Sequence, residues 1–222
     1  MSTSSSAAAW LVALSLALPA VASAAPAADK GAADKGAADK AAPTKPEAAP
    51  SGDAVGGEMN GVIKKLIGAV RYSRDASAVA TFAGDAQGAF LCGESWGKAT
   101  DAQKKEFVEL FHKMFAAIAF PNIRKNFEKL ETILYDAPTI RGDKATLGST
   151  IVILHPMKKQ EIVATYDMLK QDGTWKVVDV TVKGDKSMLT NIRDEQVQKI
   201  LASGGFDKLL DLMRKRVAKA GN

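Results

Sequence analysis

Asp172-Gly173-Thr174-Trp175-Lys176-Val177-Val178-Asp179-Val180-Thr181-Val182-Lys183-Gly184 is the stretch whose reading decides the fold class. Asp-Gly is a turn-forming pair, and the β-branched and aromatic run behind it reads as a strand. Upstream, Ile162 to Leu169, Ala145 to Leu154 and Thr132 to Tyr135 have the same character. Their separators are Gln171-Asp172-Gly173-Thr174, His155-Pro156-Met157-Lys158 and Arg141-Gly142-Asp143-Lys144. Connections this short make antiparallel hairpins, because parallel pairing needs a crossover of about a dozen residues or more.

Helical periodicity flanks the strands on both sides. Val55, Met59, Val62, Ile63, Leu66, Ile67 and Val70 recur at intervals of three and four, with Asp53 as the expected N-cap and Arg71 and Arg74 near the C-terminal end. Ala76 to Phe82 predicts a shorter helix ended by Gly84, and Asp85 to Gly93 another. Thr100-Asp101-Ala102-Gln103 is a capping box, and Phe107, Leu110, Phe111, Met114, Phe115 and Ile118 follow on one face. Pro121 is expected to break that helix, with Ile123 to Leu130 continuing separately. After the last strand a helix should open near Ser187 and run over Leu189 to Ala202. Phe206 to Ala218 follows the Gly204-Gly205 pair. The predicted class is α+β: a curved four-stranded antiparallel meander with helices packed on one face.

The chain has 222 residues, a formal net charge of +5 and one cysteine, Cys92. Ala7 to Ala20 is an apolar run too short to span a bilayer, and Ala22-Ser23-Ala24 is a small-x-small cleavage pattern. Residues 1–24 therefore read as a secretory signal, although Met1 to Ser6 carries no Lys or Arg. No cysteine stands near the expected cut to receive a lipid anchor. Residues 25–52 repeat Ala-Ala-Asp-Lys-Gly and contain almost nothing to bury, which reads as a flexible tether. Residues 53–222 suit one folded domain that stands on its core without an internal disulfide.

Chemistry-bearing patterns are sparse. His112 and His155 have no Cys or carboxylate at metal-ligand spacing, and there is no Gly-rich phosphate loop, nucleophile elbow or HExxH motif. No basic stripe interleaved with aromatics points to nucleic acid. Tyr166, Asp167 and Asp179 are the candidates for acid–base work, but strict alternation sends Tyr166 and Asp167 to opposite faces. Asp179, among valines, needs a partner, and Arg193 on the next helix is the expected one.

Three pieces of the chain, in order, carry a resemblance. They are Gly93-x-x-Trp96-x-x-Ala99-Thr100-x-x-Gln103-Lys104-x-x-Phe107; the turn and strand quoted above with Asn191 and Arg193 behind them; and Ile200 with the Gly204-Gly205-Phe206 break and a final basic helix. Over roughly Met59 to Arg216 the chain resembles the MlaC family of periplasmic phospholipid-binding proteins, also called toluene-tolerance proteins. It departs from the family pattern in Gly184-Asp185-Lys186-Ser187, one residue longer, and in Ile192, where tyrosine is common. The resemblance implies an NTF2-like cone extended by helices, located in the periplasm. It implies a monomer without cofactor or metal. As partners it implies a phospholipid, an inner-membrane ABC transporter complex with MCE rings, and an outer-membrane lipoprotein complex.

A carrier of that kind must hide two tails of roughly 15 methylenes each, whose exposure would cost on the order of 20 kcal/mol. The space between the concave sheet face and the aromatic helix is the place to do so. Phe107, Phe111, Met114, Phe115 and Ile118 are the helix candidates for lipid contact. Ile151, Ile153, Ile162, Tyr166, Met168, Val178 and Val180 are the strand candidates, and Met188, Leu209, Leu212 and Met213 are placed to close the chamber. The same residues would also serve to fill a solid core. A carrier of another amphiphile such as a hopanoid, an NTF2-like small-molecule enzyme and a solid-cored adaptor are the alternatives. The cations at the end of the last helix, Arg214, Lys215, Arg216 and Lys219, complement the helix dipole or else dock an acidic surface.

Overall fold

The apolar stripe from Met59 to Val70 winds into α1 (Gly52–Arg71), burying Met59, Ile63, Leu66, Ile67 and Val70. The computed structural model describes residues 52–155 and 158–220; the expected signal, nearly all of the tether, and Pro156 and Met157 of one expected turn lie outside the described residues. Asp53, expected as an N-cap, falls inside the first turn of α1. Next comes α2 (Asp75–Val79), which stops short of Phe82. The chain there turns extended: Val177 donates to Thr81 O at 2.8 Å and Ala83 to Val177 O at 2.9 Å. This bridge shields the outer edge of the last strand, and edge protection outweighs one more helical turn. Gly84 therefore opens α3 (Gly84–Cys92) rather than ending α2.

The short α4 (Glu94–Lys98) leads to α5 (Asp101–Met114), whose capping box is formed in both directions by Thr100 and Gln103. Trp96 lies against Gly88, where any Cβ would collide with its ring, and meets Phe107 edge-on at 5.6 Å. Gln103 also donates to Asp207 at 2.7 Å, tying α5 to the last helix. Pro121 does not break the helix. The backbone widens into a π turn, Phe115–Ala119, and continues as α6 (Phe120–Phe127) with the proline in its first turn. Widening accommodates a residue that lacks an N–H and whose ring would otherwise strike the preceding turn.

Among the described residues, five strands form one antiparallel sheet in the order β1-β3-β4-β5, with β2 also on β3: β1 (Leu130–Tyr135), β2 (Thr139–Arg141), β3 (Lys144–His155), β4 (Lys158–Gln171) and β5 (Thr174–Val182). The expected meander is there. The short β2 is additional, so Gly142 turns β2 into β3 and not β1 into β3. Asp172 and Gly173 both have positive φ, 49° and 75°, the type I′ geometry that matches strand twist. Opposite the step from Asp167 to Met168, β5 carries an extra residue, Val178. That bulge reverses the alternation of β5. Val180 and Val182 face the same side as Tyr166 and Ala164, while Trp175 and Val177 regain that side beyond the bulge.

Ser187 caps α7 (Met188–Ile192), a second π turn spans Arg193–Val197, and α8 (Gln198–Ala220) bends at Gly205, where φ is 70°. Asp179 lies beneath this junction. Its Oδ1 accepts from the Leu189 N–H at 2.9 Å and the Val180 N–H at 2.8 Å. The expected Asp179–Arg193 pair does not form: Arg193 joins Asp194 at 2.9 Å and stacks over Phe90 at 4.8 Å. A helix start offers unpaired amides closer to β5 than a side chain one turn on, so the carboxylate caps backbone. On α8, Arg214 is held by Glu106 of α5 at 2.6 and 2.9 Å, and Lys215 by Asp211 at 2.7 Å. These two cations brace helices.

Burial raises the pKa of Asp179, with Asp167 across the strand pair adding to it and hydrogen bonds from Leu189, Ser187 and Val180 opposing it. A carboxyl raised on folding contributes stability that is full below its unfolded pKa and fades as pH climbs through the folded value. Asp179→Ala should cost about 1–3 kcal/mol at neutral pH, since two amides lose their acceptor. Asp179→Asn keeps an oxygen in place and sheds the buried charge, so it should cost less than half as much and gain on wild type as pH rises. Urea denaturation of both variants across pH checks this; equal losses would remove the capping role.

Candidate functional site

Residues 162, 164, 166 and 168 of β4 are buried on one face, with Ile151 and Ser149 beside them on β3. Over this face the helices leave a cavity of about 130 Å³. Leu66, Ile67 and Val70 of α1 form one wall; Phe115, Phe120, Ile123 and Phe127 form another, together with Phe82. Ile151, Ile162, Ala164, Tyr166, Val180 and Val182 are the floor, and Met188 closes the end at α7. Phe82, Phe115 and Phe120 contact one another at centroid distances of 5.2 to 6.3 Å, a tilted aromatic cluster rather than a flat stack.

The site is almost free of polar chemistry. Its one polar side chain is Tyr166, whose hydroxyl accepts from buried Ser149 at 3.2 Å. Burial pushes this phenol up to about 12, so it is neutral at physiological pH. Neither Asp167 nor Asp179 lines the cavity. Asp167 is exposed and accepts from Thr146 on the far side of the sheet. His112 packs its ring 5.8 Å from Phe82 and its pKa is lowered by burial. Among the described residues no group of His, Cys, Asp and Glu gathers as a metal site. Cys92 is buried, its thiol pushed up to about 12, which keeps it protonated and unreactive.

Of the residues singled out from the sequence, the fold brings Phe115, Ile151, Ile162, Tyr166, Val180 and Met188 together around the cavity. Phe107, Phe111 and Met114 do not reach it. They interlock with Leu209 and Met213 between α5 and α8, where a gap of only about 10 Å³ is left. Ile153 is fully buried outside the cavity; Ile118 and Leu212 are half-buried beside the core. Met168 and Val178 line a separate groove near Phe90, because the bulge takes Val178 out of the alternation. Phe82, Ala164, Val182, the α1 residues and Phe120, Ile123 and Phe127 were missed as lining. Continuing the helical period through Pro121 would have found the last three, spaced three and four apart.

Comparison with known proteins bears on this fold. The family model described as MlaC protein matches residues 75–215. A solved phospholipid-binding protein from Ralstonia solanacearum, in complex with a phospholipid, superposes with a TM-score of 0.57 at 16% identity; the match covers 75% of this chain and 98% of that one. A solved variant of Rv3472 from Mycobacterium tuberculosis, described as a function unknown protein, reaches only 0.30 at 10% identity, covering 73% of this chain and 88% of its own, too low to bear on the fold. No curated protein matches the chain at a significant level.

Tyr166→Phe should destabilise by about 1–3 kcal/mol, since Ser149, fully buried, loses its acceptor in an apolar setting. In the wild type the folded state holds the phenol proton more tightly than the unfolded chain. Stability tied to this group is thus intact below the ordinary tyrosine pKa of about 10 and falls as pH rises toward 12. Thermal melts of wild type and Tyr166→Phe between pH 8 and 11.5 should converge at the alkaline end.

Proposed function

Because the chain belongs to the MlaC family, we propose that it is a lipid-binding carrier, not an enzyme, which shields the acyl part of a phospholipid in the cavity over its sheet. The observation that carries this reading is the cavity wall: aromatic, aliphatic and methionine side chains from the sheet and from the helices over it, with one neutral phenol. A pocket of this kind offers an acyl chain dispersion contacts and offers a reacting group nothing to exchange a proton with. The phospholipid bound to the Ralstonia protein of similar fold supports the choice of ligand.

The hollow is small. Its roughly 130 Å³ is comparable to the engineered cavity of about 150 Å³ that admits one benzene. Loading a diacyl lipid therefore requires the helical walls, α1 and the π turn with α6, to move off the sheet. On this reading the apolar start of the chain directs export to the periplasm, and the repeated Ala-Ala-Asp-Lys-Gly segment is a tether. The protein then acts as a monomer, exchanging lipid with an inner-membrane ABC transporter complex bearing MCE rings and an outer-membrane lipoprotein complex. A hopanoid or similar amphiphile would use the same walls.

Mass spectrometry of an organic extract of the purified protein should show co-purified diacyl lipid. Ala164→Phe places a ring in the middle of the cavity floor. Such filling should lower lipid content at least about tenfold while far-UV circular dichroism stays unchanged. A polycyclic triterpenoid in the extract would change the cargo. An extract without any amphiphile, together with failure to take up lipid from vesicles, would end the carrier reading.

A further inference from the structure

Beside the cavity, a groove of about 720 Å³ runs between α1 and β1. Ile67 belongs to the wall of both. The face of α1 along the groove is Gly61, Lys64, Lys65, Gly68 and Arg71, spaced by three and four residues, with Tyr72 just past the end of the helix. It adjoins the stripe that buries Met59, Ile63 and Leu66 in the core. This helix is basic on one face and oily on another, and the two faces meet at Ile67.

The cations of the groove are not spent on carboxylates. Lys64, Lys65 and Arg74 are exposed, and among the described residues none of them forms an ion pair. Arg71 reaches the carbonyl oxygens of Glu128 and Leu130 at 3.2 and 3.5 Å, which leaves its charge unneutralised. Glu131 is the one carboxylate in the lining, and its field also falls on Lys159. At the groove wall the Tyr135 hydroxyl is buried and has no hydrogen-bond partner among the described residues. Burial raises its pKa, so it stays a donor. A Cβ at Gly61 or Gly68 would meet nothing within 4 Å. Core packing does not require those glycines, and glycine is a poor helix former. Their effect is to keep the groove open on either side of the lysines.

We propose that this groove is an anion site at the mouth of the cavity, holding the phosphate of an amphiphile whose apolar part passes Ile67 into the chamber. The proposal rests on the carrier reading and adds to it a place for the polar end. Compact ammonium groups on flexible stems suit a phosphate as point charges, and a phenol hydroxyl adds a directed hydrogen bond. Apolar neighbours in the groove, Ile67, Leu130 and Ile133, lower the local dielectric and strengthen the attraction.

The test compares wild type with the triple variant Lys64→Gln/Lys65→Gln/Arg74→Gln, which changes exposed side chains and leaves Arg71 on its carbonyls. Dioleoylphosphatidylglycerol and dioleoylglycerol, identical in their tails, are titrated from the same detergent micelles, and inorganic phosphate is titrated alone. Wild type should prefer the phospholipid by roughly tenfold or more, and the variant should lose that preference while still binding dioleoylglycerol. Gly68→Leu, which fills the groove without touching the core, should weaken phospholipid binding as well. An equal preference in wild type and triple variant overturns the anion site and leaves the carrier reading standing. If wild type binds neither lipid, the carrier reading falls; saturable phosphate binding that the variant lacks would then keep the groove as a site for the free anion, and its absence would remove the site.

Discussion

One extra residue in β5 sets the chemistry of the interior. With unbroken alternation from Trp175 and Val177, Asp179 would face the concave side and Val180 and Val182 would face away. The bulge at Val178 inverts that arrangement. Two valines join the cavity floor and the carboxylate goes to the other face of the strand, where it accepts from the Leu189 amide at the start of α7. An ionised carboxylate within an apolar hollow would have to shift its pKa strongly or draw in a partner. Both the oily chamber and the seating of the C-terminal helices therefore depend on where this strand loses register.

The helices divide the interior into two unlike halves. Between α5 and α8, stacked Phe107 and Phe111 interlock with Leu209 and Met213, and the Arg214–Glu106 fork and the Gln103–Asp207 bond clamp the outside. Between the sheet and α1 with α6, packing is incomplete, and the π turn at Phe115–Ala119 presents Phe115 and Phe120 to the same hollow. Arg124 ties this second half together, bonding Val70 O at 2.8 Å and Asp75 at 2.7 Å, and Arg71 adds bonds to the carbonyls of Glu128 and Leu130. A rigid half anchors a looser one, as a structure needs if part of it is to move without the whole unfolding.

Local rules made much of this legible in the sequence. The Asp172-Gly173 turn, the Thr100–Gln103 box and the α1 stripe each have a short-range cause, and each is present in the fold. Features that insert a residue into a regular element were not legible: the Val178 bulge and the second π turn carry no local signal, and at the first one Pro121 signals a break without showing that the helix absorbs it by widening. The partner of Asp179 was misjudged for a related reason, because a side-chain charge is visible in a sequence and the free amides of a helix start are not. Periodicity also marks only that a residue is inward. It cannot separate Phe107, deep in a solid cluster, from Phe115, eight positions on and facing a void.

The void has an energetic consequence. Unfilled apolar volume weakens a protein by roughly 24 cal/mol per Å³, so a hollow of about 130 Å³ amounts to on the order of 3 kcal/mol of forgone cohesion. For a molecule whose entire margin is about 5–15 kcal/mol, that is a sizeable fraction. On the carrier reading, occupancy and robustness are then linked: the vacant form is the fragile one, more readily melted or proteolysed, and cargo acts as a removable piece of its core. Release, on the carrier reading, runs uphill for the protein, and the receiving surface has to supply the difference.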